Sequence, residues 1–74
     1  MREIKVGKKY RHFKGMEVQV EIIAKDSETT DKVVVYKHLG ENEYWVRPYD
    51  MFNSEVDHEK YPDIEQKYRF EEID

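Results

Sequence analysis

Two side chains placed to act together are Trp45 and Arg47, in the run Tyr44-Trp45-Val46-Arg47-Pro48. Residues two apart on a strand share a face, so an indole would stand beside a guanidinium. Such a pair can stack, bind a carboxylate or phosphate, or receive a flat or cationic ligand. The same spacing could instead lay Arg47 over Trp45 as a local lid, or bury the indole as the largest residue of a small core. Tyr36 and His38 repeat the spacing in a second run, and Tyr10 and His12 in a third. His12 titrates near physiological pH and could bind or relay protons, whereas a lone histidine is more often a hydrogen-bonded structural residue. Trp45, Arg47, Tyr36, His12 and His38 form one aromatic-basic patch only if strand register brings their faces together.

The other candidate chemistry is thinner. Lys8, Lys9, Arg11 and Lys14 surround Tyr10, a pattern that suits a charged groove with one stacking platform for RNA or single-stranded nucleic acid. Ser27-Glu28-Thr29 has hydroxyls but no positioned base, so it reads as a self-capping turn. The many carboxylates fall into no pair of defined separation, and there is no glycine-rich phosphate loop. His12, His38 and His58 lack metal-ligand spacing and cysteine is absent. No metal site, disulfide or cofactor is therefore expected.

Five short runs must position these residues. Lys9 to Phe13 reads as a first strand, broken by Gly15. Glu17 to Ala24 alternates, with Val18, Val20, Ile22 and Ala24 on one face. The polar turn Asp26 to Asp31 follows, then Lys32 to Leu39, whose β-branched residues on both faces predict a central, doubly covered strand. Gly40 to Glu43 is a hairpin turn, Tyr44 to Arg47 a fourth strand, and Pro48 its end. Tyr49 to Glu55 allows one short helical turn, with Met51 and Phe52 as a plug. Residues 56–66 read as polar loop, and Tyr68 to Ile73 as a closing strand. The expected fold is all-β, a small five-stranded SH3-like barrel of one domain, with its barrel core over about residues 8–73. The expected core is Phe13, Val18, Val20, Ile22, Val33, Val35, Val46 and Phe70.

Composition narrows the classes. At 74 residues the chain has room for one thin core. Charged residues reach 41%, yet aromatics at 14% and a net charge of only −4 argue against disorder. Residues 1–15 carry a net charge of +5 and residues 53–74 one of −5, so the basic arm and acidic tail should attract, with Arg69 a partner for the tail. An acidic chain is a poor general nucleic-acid binder. No run approaches a signal sequence or a membrane span, which points to a cytoplasmic protein without a membrane partner.

The ordered motifs Tyr10-Arg11-His12-Phe13-Lys14-Gly15, Ser27-Glu28-Thr29, Val34-Val35-Tyr36, Trp45-Val46-Arg47-Pro48, Met51-Phe52 and Arg69-Phe70 resemble the bacterial domain of unknown function 1653 family over residues 9–73. A longer loop at about 56–66 is the main departure from its pattern. The resemblance implies an SH3-like barrel and no activity, and fold alone does not settle function. The expected role is a non-catalytic binding module for a peptide, a protein or a small anionic or planar ligand. Nucleic-acid binding through the basic first strand is the alternative. An enzyme subunit comes third, because a barrel this small has little pocket volume unless a second subunit adds to it.

Overall fold

The computed structural model describes residues 2–73. Five strands follow in order: β1 (Lys9–His12), β2 (Glu17–Lys25), β3 (Lys32–His38), β4 (Tyr44–Pro48) and, after the single-turn helix α1 (Tyr49–Phe52), β5 (Phe70–Ile73). All ladders are antiparallel, in the order β4-β3-β2-β1-β5. The strands lie where alternation and turn residues put them. Gly15, at φ +100°, lets the first hairpin close with its N–H donating to the His12 carbonyl. Asp26 Oδ1 accepts the N–H groups of Glu28 and Thr29 at 2.8 and 3.1 Å, which ties the β2–β3 turn and holds that carboxyl below its ordinary value.

The expected barrel is not closed. The ladder ends at β4 on one side and β5 on the other, and no β4–β5 pairing exists among the described residues. Neighbouring strands are ~4.8 Å apart, so the outer strands of a flat five-stranded sheet would lie about 19 Å apart. Yet the Arg47 guanidinium of β4 sits 5.5 Å from the Phe70 ring centroid of β5. The sheet therefore curls until its edges face one another across side chains rather than backbone hydrogen bonds.

The core fills the concave face. Tyr10, Val18, Val20, Val34, Phe52 and Phe70 are each at least 98% buried, joined by Ile4 and Tyr36. Phe52 closes one end, stacked on Phe70 with centroids 4.0 Å apart and edge-on to Tyr10 at 5.6 Å. Met51, its expected partner as a plug, is exposed.

Three expected core positions, Val18, Val20 and Phe70, are buried; the others need correction. Val35 and Val33 are only half-buried, and Val46 is 61% exposed. The inward residues of β3 are Val34 and Tyr36. β3 is apolar on both faces, so alternation could not choose its phase. In β2 the register shifts between Val20 and Ile22, a bulge that turns Ile23 inward and leaves Ile22 57% exposed. Phe13 is half-buried and packs on Tyr61 at 5.0 Å.

The chain before β1 belongs to the same unit. Ile4 is buried, and its N–H donates to the Tyr49 hydroxyl at 2.9 Å. The Arg2 guanidinium lies 3.9 Å from the Tyr68 ring centroid and donates to the Phe70 carbonyl and to Asn53 Oδ1. Burial lowers its pKa. Lys5 meets Glu72 at 3.6 Å, one direct contact between basic arm and acidic tail. Among the described residues no helix is long and apolar enough to cross a membrane.

Candidate functional site

Register decides the site. Tyr36 pairs with Trp45, Val34 with Arg47, Val18 with His38, and His12 with Phe70. Directly paired residues share a face. All five candidates therefore point to the concave side, where the curled sheet brings them together. Trp45, Arg47, Tyr36, His12 and His38 line one cavity of about 240 Å³, with Met16, Val18 and Phe70 completing it. It draws on every strand and lies along the seam where β4 and β5 face each other unpaired. The opening a closed barrel would lack is the cleft.

Within it, Trp45 is 49% exposed and meets His38 edge-on at 6.0 Å. The indole is not the core's largest residue; that position belongs to Tyr10, Phe52 and Phe70. Arg47 does not lie over Trp45. It turns to the other side, donating from Nε to the Tyr36 hydroxyl at 3.4 Å and covering Phe70. Its guanidinium is half-buried and meets no carboxylate among the described residues.

His12 forms the inner wall. It is buried, stacked on Phe13 at 4.5 Å and edge-on to Phe70 at 4.9 Å. Nδ1 accepts the Lys14 N–H at 3.1 Å, so the neutral ring carries its proton on Nε2. Its pKa is lowered to about 4, first by desolvation and then by Arg47, Arg69, Lys14 and His38. His12 is therefore a neutral donor at physiological pH, not a cation.

A second cavity of about 260 Å³ adjoins the first, and His12 and Arg47 line both. Its other walls are Phe13, Lys14, Asp57, Lys60, Tyr61 and Arg69. The loop before β5 builds this wall. Glu55 bridges Tyr68, the Val56 N–H donates to the Lys67 carbonyl, and the Arg69 N–H to the Ser54 carbonyl, so the loop's two legs zip together. Gln66 Nε2 ties it to the Arg11 carbonyl at 2.9 Å. Arg69 Nε donates to Ser54 Oγ at 3.2 Å, not to the acidic tail as expected. Sequence reasoning missed Lys60, Tyr61 and Arg69; an aromatic residue inside an otherwise polar loop was the one available signal.

The basic first strand is dispersed by the fold. Tyr10 is buried with its hydroxyl accepting the Lys5 N–H, so it offers no stacking face. Arg11 pairs with Glu17 at 3.2 Å. Lys8 and Lys9 border a separate hollow beside Glu72. Only Lys14 reaches the site, lining the second cavity with its Nζ 5.5 Å from the Tyr61 ring centroid.

Fold and site together define a small, nearly all-β domain: one curled antiparallel sheet with an aromatic-basic cleft along its open seam. The chain belongs to the family described as Protein of unknown function (DUF1653), whose family model matches residues 8–72. No curated protein and no solved structure matches the chain.

Proposed function

We propose that the chain is a non-catalytic cytoplasmic binding module whose seam cleft takes a small planar, anionic ligand. The observation that carries this reading is the convergence of Trp45, Arg47, Tyr36, His38 and His12 on one concave surface. An indole this exposed is costly to leave in water, and Arg47 supplies planar donors not committed to a carboxylate. Binding sites pair an apolar wall with a few convergent polar groups in this way. Beside its histidines and Tyr36, the aromatic cavity's lining includes no carboxylate, serine or threonine to serve as nucleophile, which favours binding over turnover.

Trp45 is the only tryptophan, so its fluorescence reports the site without ambiguity. Titration with small aromatic carboxylates and phosphates should quench or shift it saturably, and Arg47→Ala should weaken the effect about tenfold, the value of one charge-assisted hydrogen bond. Emission unchanged across the panel at millimolar ligand would remove the proposal.

A further inference from the structure

The second cavity holds more positive charge than the fold needs. Arg47, Arg69, Lys14 and Lys60 converge there, and none meets a carboxylate oxygen within 4 Å among the described residues. This happens in a chain whose net charge is −4. Asp57 is the one acid in the lining, and its Oδ1 is engaged by the Glu59 and Lys60 N–H groups of its own turn. Like charges gathered without counter-charge repel and cost stability, a cost that an anion would reverse. His12 registers the same field from within, since Arg47, Arg69 and Lys14 all disfavour its protonation.

We propose that the two cavities form one bipartite site for a nucleoside monophosphate, with the base beside Trp45 and His38 and the phosphate among Arg47, Arg69, Lys14 and Lys60. This rests on the binding role proposed above and specifies its ligand. Three features select the class. His12 and Arg47 line both cavities, so the aromatic and the cationic walls abut within reach of one small molecule. Neither cavity reaches the roughly 300 Å³ at which ligand pockets begin, whereas the two joined do. Four cations against one acid exceed what a monocarboxylate uses, and a phosphate monoester brings a charge of about −1.5 to −2 with three acceptor oxygens. The neutral His12 adds a donor at the junction from Nε2.

The unit recognised is a single nucleotide rather than a strand. Strand binders track a backbone with cations and stack successive bases on several aromatic faces. Here the cations sit in one cluster, one indole is exposed, and Lys8, Lys9, Arg11 and Tyr10 are turned elsewhere or committed.

The test titrates the full chain with AMP, GMP, CMP and UMP, following Trp45 fluorescence and amide chemical shifts. The four matching nucleosides, inorganic phosphate and an unphosphorylated thymidine decamer are run alongside. At least one nucleotide is expected to bind tenfold or more tighter than its nucleoside, with shifts spanning Trp45 and Arg69. The double variant Lys14→Ala/Lys60→Ala should remove most of that gain and leave nucleoside binding unchanged. Both lysines are exposed, so the fold should survive. Equal affinity of every nucleotide and its nucleoside, or tighter binding of the decamer, overturns the inference. If aromatic carboxylates occupy the Trp45 cleft while all four nucleotides do not, the nucleotide assignment fails and the binding role stands. If no ring compound perturbs Trp45, both fail.

Discussion

His12 should make this protein acid-sensitive between pH 6.5 and 4, and the magnitude follows from its surroundings. The ring is buried between Phe13 and Phe70 and faces Arg47, Arg69 and Lys14, which together lower its pKa to about 4. In the unfolded chain it titrates near 6.5. Between these values the unfolded state binds the proton and the folded state refuses it. Stability is therefore fully present above about pH 6.5, falls as pH drops toward 4, and stops falling below the folded value. Integrated from pH 7 to pH 5, the loss from this one group is about 2 kcal/mol. For a chain of this length, whose total stability should be ~4–11 kcal/mol, that is a large fraction. The assay is urea unfolding of the wild type and of His12→Asn at half-unit steps from pH 7.5 to 4.5. Asparagine Oδ1 takes the place of Nδ1 and can still accept the Lys14 N–H. Carboxylates titrate in both proteins, so the difference between the two curves isolates His12. The wild type should lose about 2 kcal/mol relative to the variant by pH 5. Parallel curves would refute the reasoning, because they require a folded-state His12 that protonates as readily as a free one.

Other substitutions test the packing and the site. Val34→Ala should cost about 1–3 kcal/mol in denaturant melts, whereas Val46→Ala on the convex face should change stability by less than about 0.5 kcal/mol; the reverse order would mean the sheet is turned over. Phe52→Ala should cost about 3–5 kcal/mol, because the ring is fully buried against Phe70, Tyr10 and Tyr36. Arg47→Ala should preserve cooperative unfolding while weakening ligand binding; loss of the fold would make Arg47 a packing device. Chelator should leave the melting temperature unchanged, since the described residues contain no group of three metal-ligating side chains; a drop reversed by zinc would contradict that.

The strands were legible because period two is strong in β2, and because Gly15, Gly40 and Pro48 punctuate the runs. The same periodicity put Trp45 beside Arg47, Tyr36 beside His38 and His12 beside Tyr10. Their meeting was not legible, because it depends on register and on the curl of the sheet, and no local residue encodes either. The phase of β3 was misread for a related reason. Val33, Val34 and Val35 are alike, and what buries Val34 is Arg47 and the core across the sheet, a long-range fact. The bulge after Val20 carries no glycine or proline to announce it. Closure into a barrel was inferred from strand number and from the family resemblance, and neither specifies whether the last strand meets the fourth. The cationic wall was hidden in a polar loop whose order comes from Ser54, Gln66 and the Glu55–Tyr68 bridge, contacts between residues far apart in the chain.

The most direct measurement of the binding role is a proton–nitrogen correlation spectrum of the full chain, recorded against a library of small aromatic anions. The indole N–H of Trp45 gives a single resolvable side-chain signal, since the sequence has one tryptophan. Saturable shifts centred on Trp45, Arg47, His38 and His12 are the expected result. Shifts confined to the Lys8–Arg11 segment, or none at ligand concentrations of several millimolar, would contradict a binding site in the seam between β4 and β5.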